Sequence, residues 1–293
     1  EMEKRLNSLL NFKNAFPTEL ILVDTGCNEK QRALAEQYAD KIINFTWCND
    51  FGAARNAGLK EAQGEWFMYL DDDEWFDDPQ EIIKFFITGE YQKYNSASYI
   101  VRNYMDPNGN NYIDSYPSRM VKLNSSIHFV GRIHEFLAPF YEPRKEFNDF
   151  VHHYGYVYKN EQEHVKHVWR NIEPLLVIRK EYPGDPRWIM QLDQEYFSAC
   201  DYEKVITTSI EGLEEWRKYK KNLTYMPIHI GAIYAYLLLA FENLERYQEE
   251  KKWLRQAFSE PLNQLDTMEV CIAFYNMMGA RVYGNLSDDL CIT

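Results

Sequence analysis

The sequence has no closely spaced pair of cysteines of the kind that holds a metal or forms a redox motif: Cys27, Cys48, Cys200, Cys271 and Cys291 are odd in number and widely scattered. A disulfide framework is thereby excluded as the organising device, and a reducing, cytoplasmic setting is expected. There is no run of lysine or arginine either, and 32 Lys+Arg against 45 Asp+Glu leave a formal charge of -13. That balance repels a nucleic-acid backbone and an anionic bilayer alike. Long apolar runs are also missing. The longest, Ile230 to Phe241, carries two tyrosines and a glycine and is shorter than the roughly 20 residues of a membrane helix. No signal peptide is legible at the N-terminus, so the reading is of a chain that is not an integral membrane protein.

What is present is ordinary in bulk and unusual in aromatics. Hydrophobic residues at 45% and charged ones at 26% over 293 residues describe a globular chain, and 22 Tyr, 17 Phe and 7 Trp bring aromatic content to 16%. At roughly 100–200 residues per domain, two domains are expected. The first 155 residues alternate strand and helix signals: Glu19 to Val23 as a strand ending in Asp24-Thr25-Gly26, Glu29 to Tyr38 as a helix, Lys41 to Phe45 as a strand, Phe51 to Gln63 as a helix, and Glu65 to Leu70 as a strand. This alternation predicts a mainly parallel, Rossmann-like sheet whose ligands sit beyond the carboxyl ends of its strands. Ser98 to Tyr104 and Tyr112 to Leu123, flanking Asp106-Pro107-Asn108-Gly109, add a hairpin. From Gln162 onward the signals are helical. There Asp201 to Val205 and Arg246 to Glu250 open two similar segments, the layout of degenerate tetratricopeptide-like hairpins. The expected division is therefore an α/β domain over 1–158 and an all-α domain over 159–293.

The chemistry concentrates in Asp71, Asp72, Asp73, Glu74, Asp77 and Asp78. Like charges so close ask for a cation, and a hard ion such as Mn²⁺ or Mg²⁺ takes one or two carboxylates together with phosphate oxygens and water. Asp71 and Asp73, directly after a buried strand, are the candidates. Asp77 and Asp78 read instead as caps for a helix over Gln80 to Ile87.

Several separate motifs, in order, resemble the nucleotide-sugar-binding half of family-2 glycosyltransferases of GT-A fold: Val23-Asp24-Thr25-Gly26, Asn49-Asp50-Phe51-Gly52-Ala53-Ala54-Arg55-Asn56, and Gly64-Glu65-Trp66 to Leu70-Asp71-Asp72-Asp73-Glu74. Gly131-Arg132-Ile133-His134-Glu135 and His153-Tyr154-Gly155-Tyr156 are similar to later motifs of the subgroup with a tetratricopeptide-like tail. The resemblance implies a metal-dependent, inverting transfer from a nucleotide-sugar donor, a UDP-sugar above all, to a saccharide, lipid-linked or peptide acceptor. It implies Asp24 at the nucleotide base, Arg55 at the nucleotide or its phosphates, Asp71 and Asp72 at the nucleotide sugar, and Asp71, Asp73 and His153 at the cation. Glu135 becomes the base that deprotonates the acceptor; from spacing alone a carboxylate at a helix start remains the alternative. Arg55 could equally be a helix residue paired with an acidic neighbour. His152 would point away from His153 along an extended segment.

The family's usual opening strand, an apolar run ending Lys, Asn, Glu, is not found ahead of Asp24. The expectation is that this segment was lost from the sequence. A second function class therefore stays open, a non-catalytic head carrying a tetratricopeptide-like surface that binds a protein partner. A nucleotidyltransferase would be expected to show a glycine-rich phosphate loop after its first strand, and none is visible. Among the aromatics, Trp66 is expected in the core, while Trp75 and Tyr116 are the candidates for stacking on a sugar.

Overall fold

The computed structural model describes residues 2–139, 141–219 and 229–290, in two compact units, Glu1–Asn160 and Glu161–Thr293.

In the first unit α1 (Met2–Ala15) precedes β1 (Ile21–Asp24), α2 (Glu29–Tyr38), β2 (Lys41–Asn44), α3 (Phe51–Glu61), β3 (Trp66–Met68), β4 (Glu74–Phe76), α4 (Gln80–Ile87), β5 (Ser96–Tyr104), β6 (Tyr112–Ser115), β7 (Ser118–Lys122), β8 (His128–Val130), β9 (Phe136–Ala138) and β10 (Arg144–His153). The strand–helix alternation expected over the first 70 residues is present, with helix ends set by local chemistry. Asn28 caps α2 through a reciprocal pair with Gln31, and Asp50 caps α3 by accepting from the Ala53 amide at 2.7 Å.

The sheet is mixed rather than mainly parallel. β1 and β2 pair in parallel as a two-stranded sheet, while the larger sheet runs β3-β7-β5-β10-β4 with β6 also on β5. Within it, among the described residues, only β5 and β10 are parallel; the other pairs are antiparallel, with the Asp106 to Asn111 turn folding β6 back on β5 and Tyr116-Pro117 carrying the chain on into β7, against the same strand. This order matters for the site. It places β7 beside β3, and β10 between β5 and β4, so the ends of distant segments meet.

Under the sheet Phe12, Phe76, Ile82, Phe85, Tyr99 and Val151 form the main core, with Trp66 packed edge-on against Phe85 at 5.5 Å. Trp66 is thus core, as expected. Trp75 is not a free platform: Lys4 Nζ lies 4.1 Å from its ring centre, and the His152 and Tyr154 rings stack beside it at 5.0 and 5.6 Å. Tyr116 is 53% exposed. The cap of α4 also differs from expectation. Neither Asp77 nor Asp78 supplies it; Asp149, far along the chain on β10, accepts from the Glu81 and Ile82 amides at 3.2 and 2.7 Å. Asp77 instead meets His152, and Asp78 accepts from Gln80.

The second unit contains α5 (Glu161–Glu181), α6 (Pro186–Ser198), α7 (Tyr202–Tyr219), α8 (His229–Asn243), α9 (Tyr247–Ser259) and α10 (Gln264–Leu290), with no strand among its described residues. The two similar segments have the same turn. Cys200 and Glu245 both take φ of 56°, and the next amides, Asp201 and Arg246, each return to a carbonyl in the preceding helix at 2.9 Å, Tyr196 and Phe241 respectively. Trp188, Leu192, Leu213, Ile233 and Leu237 fill the interior between these helices. On α10, Leu265, Met268, Ile272 and Tyr275 stay exposed along a stripe three and four residues apart. No helix among the described residues is long and apolar enough to cross a membrane.

Candidate active site

The amino-terminal half of α3 is the first scaffold. Phe51 N donates to Arg132 O at 2.7 Å, Arg132 Nη1 meets Asp50 Oδ2 at 3.2 Å, and Asn56 both donates to and accepts from the Phe129 backbone at 3.0 and 2.8 Å. A side chain on Gly52 would collide with the Gly131 carbonyl oxygen, so glycine is what allows the loop after β8 to lie against the helix. The Asn49 to Asn56 motif and the Gly131 to Glu135 motif are therefore two halves of one contact. Gly131 (φ 100°) and His134 (φ 49°) turn that loop left-handed on either side of Ile133. Glu135 is brought onto Arg55 by this arrangement. It stands in the loop entering β9, not at a helix start.

Arg55 is the hub. Its Nε pairs with Glu135 Oε1 and its Nη2 with Asp71 Oδ1. Arg119, from β7, takes the other oxygen of Asp71 at 3.1 Å and Glu74 Oε1 at 2.8 Å. The two guanidiniums lie 4.7 and 4.5 Å from the centre of the Tyr69 ring, a cation–π arrangement suited to arginine. The chain Glu135, Arg55, Asp71, Arg119, Glu74 thus alternates in charge. Burial works to raise the Asp71 carboxyl, but the two guanidiniums outweigh it and hold the group below the usual carboxylate range. For Glu74 burial prevails, and its carboxyl is pushed up to about 7.

A second pair lies two residues along. His153, at the end of β10, has Nδ1 at 2.7 Å from Asn103 Oδ1 and Nε2 at 3.3 Å from Asp73 Oδ2. Burial disfavours the charged ring, while the hydrogen bond and charge of Asp73 together with Glu74 and Asp71 raise its pKa overall. A side chain on Gly155 would press on both His153 Nε2 and Asp73 Oδ2. His152 faces the other way, to Tyr104 Oη at 2.8 Å.

The donor set at Asp73 and His153, one carboxylate oxygen and one imidazole nitrogen at a partly open edge, fits an ion that draws its remaining ligands from phosphate and water. No three His, Cys, Asp or Glu side chains among the described residues form a ready-made cage. Asp71, expected to share the cation, has both oxygens in ion pairs with Arg55 and Arg119. Asp72 is exposed between the two clusters. Asp24 is placed at the end of β1 as expected, but its carboxylate is already used: Oδ1 accepts from the Cys27 and Gly26 amides at 2.7 and 2.9 Å, and Oδ2 from Arg32 at 2.8 Å. These contacts, the Cys27 amide first, hold its pKa well below the usual range. Arg32, Asn103 and Arg119 were not legible as site residues. Of the three only Arg119 carries a signal, an arginine directly before the apolar Met120-Val121 pair of β7.

Residues 1–132 match the model of Glycosyl transferase family 2. The glycosyltransferase SunS of Bacillus phage SPbeta, and its prophage-derived copy in Bacillus subtilis strain 168, are 25% identical over 226 residues, 74% of this chain and 52% of theirs. The chain therefore spans about half the length of these relatives. A TPR repeat-containing protein of Synechococcus elongatus is 41% identical over 56 residues, 19% of this chain and 14% of its own. Crystal structures of S. aureus TarS 1-349, free and with UDP-GlcNAc, overlay on 97% of this chain and 89% of theirs at 11% and 13% identity, with TM-scores of 0.38 and 0.37.

Proposed function

We propose, from the match of residues 1–132 to Glycosyl transferase family 2, that the chain moves a sugar from a nucleotide-sugar donor, a UDP-sugar, to a saccharide, lipid-linked or peptide acceptor with inversion at the anomeric carbon. The observation that carries this reading is the convergence of Glu135, Arg55 and Asp71 in one bonded series, with Asp73, two residues beyond Asp71, paired to His153 at the end of β10.

Glu135 is the base. Arg55 uses Oε1, so the second oxygen is the one that takes the acceptor proton as the acceptor atom bonds to the anomeric carbon. The bond from that carbon to the diphosphate breaks on the opposite face, and the nucleoside diphosphate departs with the electron pair. Asp73 and His153 would hold Mn²⁺ or Mg²⁺, which when bound supplies charge stabilisation for the leaving diphosphate. Arg55 adds a guanidinium for the phosphates, and Asp71 fixes its direction. Asp24 and Asp72 border the nucleotide. With the Asp24 carboxylate engaged by Arg32, the nucleotide base meets the Asp24–Arg32 pair rather than a bare carboxylate.

The second unit is a tetratricopeptide-like surface for the acceptor or a protein partner, a role that the repeated turn at Cys200 and Glu245 and the exposed α10 stripe support. A panel of nucleotide sugars incubated with the protein and Mn²⁺ tests the activity. Release of nucleoside diphosphate from at least one donor, faster with acceptor-containing extract, is expected. No release from any donor under any divalent cation would count against the proposal.

A further inference from the structure

We propose that Arg119 and Glu74 form a positioning layer behind the donor site, in which Arg119 sets the direction of the Asp71 carboxylate and Glu74 fixes its main chain. The inference rests on the glycosyltransferase reading for its kinetic consequence, and on geometry for the layer itself.

Arg119 and Glu74 are 8% and 1% exposed, so neither faces the donor directly. Arg119 reaches Asp71 Oδ2 with Nη1 and Glu74 Oε1 with Nη2, at 3.1 and 2.8 Å. The fork geometry of a guanidinium lets one side chain hold two carboxylates at fixed angles. Its own backbone is tied to the same strand end, since Tyr69 N donates to Arg119 O at 3.3 Å. Glu74 works on the main chain: its Oε2 accepts from the Asp71 amide at 3.1 Å, and its amide donates to the Asp71 carbonyl at 3.1 Å. Asp71 is thereby held through side chain and backbone at once. Its remaining oxygen is presented to Arg55, and Arg55 to Glu135. Each outward group inherits its position from the one behind it, as outer-shell partners do for metal ligands.

A plainer role for Arg119 would be to neutralise Glu74, and two variants separate the alternatives. Arg119→Gln leaves Glu74 buried without its cation, so both melting temperature and turnover should fall. In Arg119→Gln/Glu74→Gln the two charges go together, and stability should recover. Under the positioning role the double variant still shows a donor KM raised and kcat lowered by about 10- to 100-fold in combination, and in its crystal structure the Asp71 carboxylate has turned and the Arg55–Glu135 pair has shifted. A double variant with wild-type KM and kcat overturns the proposal. Absence of any donor turnover in the wild-type protein would refute the glycosyltransferase reading alone, and the crystal structure of the double variant then decides: an unmoved Asp71 carboxylate refutes positioning, a turned one sustains it.

Discussion

Glu135→Gln is expected to abolish sugar transfer while nucleotide binding survives. Glutamine keeps the shape of the side chain and can still accept the Arg55 hydrogen bond through its amide oxygen, so the loop that follows Gly131 should stay on α3. What it cannot do is take a proton from the acceptor. General-base catalysis contributes about 10²- to 10⁴-fold, and the loss should appear in kcat with the UDP dissociation constant close to that of the wild type. Steady-state transfer assays paired with calorimetric titration of UDP separate the two quantities. Turnover within a few-fold of the wild type would exclude Glu135 as the base and leave it as the partner that holds Arg55.

Arg55→Gln should have the largest structural effect of any single substitution in the site. One guanidinium serves two carboxylates, Asp71 and Glu135, whose side chains are 27% and 8% exposed. Removing it leaves Glu135 without its ion-pair partner and Asp71 with Arg119 alone. Breaking a buried pair from one side costs about 3 kcal/mol or more, which lowers the melting temperature of a unit this size by roughly 10 °C. Lysine at the same position should recover little, because a single ammonium cannot address both carboxylates with fork geometry. Circular dichroism melts of the three proteins check this, and an Arg55→Gln variant as stable as the wild type would remove Arg55 from its place as hub.

Much of the first unit was legible because its early elements announce themselves locally. The apolar run before Asp24 and the strand before Asp71 are both short-range signals, and the residues they deliver to strand ends are those the motifs named. The cap of α4 departs from the local signal for the opposite reason: Asp77 and Asp78 are adjacent in sequence, yet the amides of Glu81 and Ile82 go to Asp149 on β10. Sheet order decides such contacts, and nothing in the spacing reveals that β7 lies beside β3 or that β10 separates β5 from β4. Arg119 and Asn103 enter the site by that route. Trp75 illustrates the limit for aromatics, since an indole next to an acidic cluster looks like a sugar platform until its neighbours Lys4, His152 and Tyr154 are placed. In the second unit, the likeness of the Asp201 and Arg246 segments could be seen in sequence, whereas the left-handed residue before each is a cysteine in one and a glutamate in the other. Neither residue type signals that conformation.

In the proposed function the Asp73–His153 edge and the Arg55 hub together bind a nucleoside diphosphate through a divalent cation. Calorimetric titration of UDP into the protein, with Mn²⁺ and then with excess EDTA, tests it most directly. Saturable binding in Mn²⁺ that disappears in EDTA and in Asp73→Asn is the predicted result; no binding of any nucleoside diphosphate in the presence of Mn²⁺, or binding indifferent to both the chelator and the substitution, would contradict it.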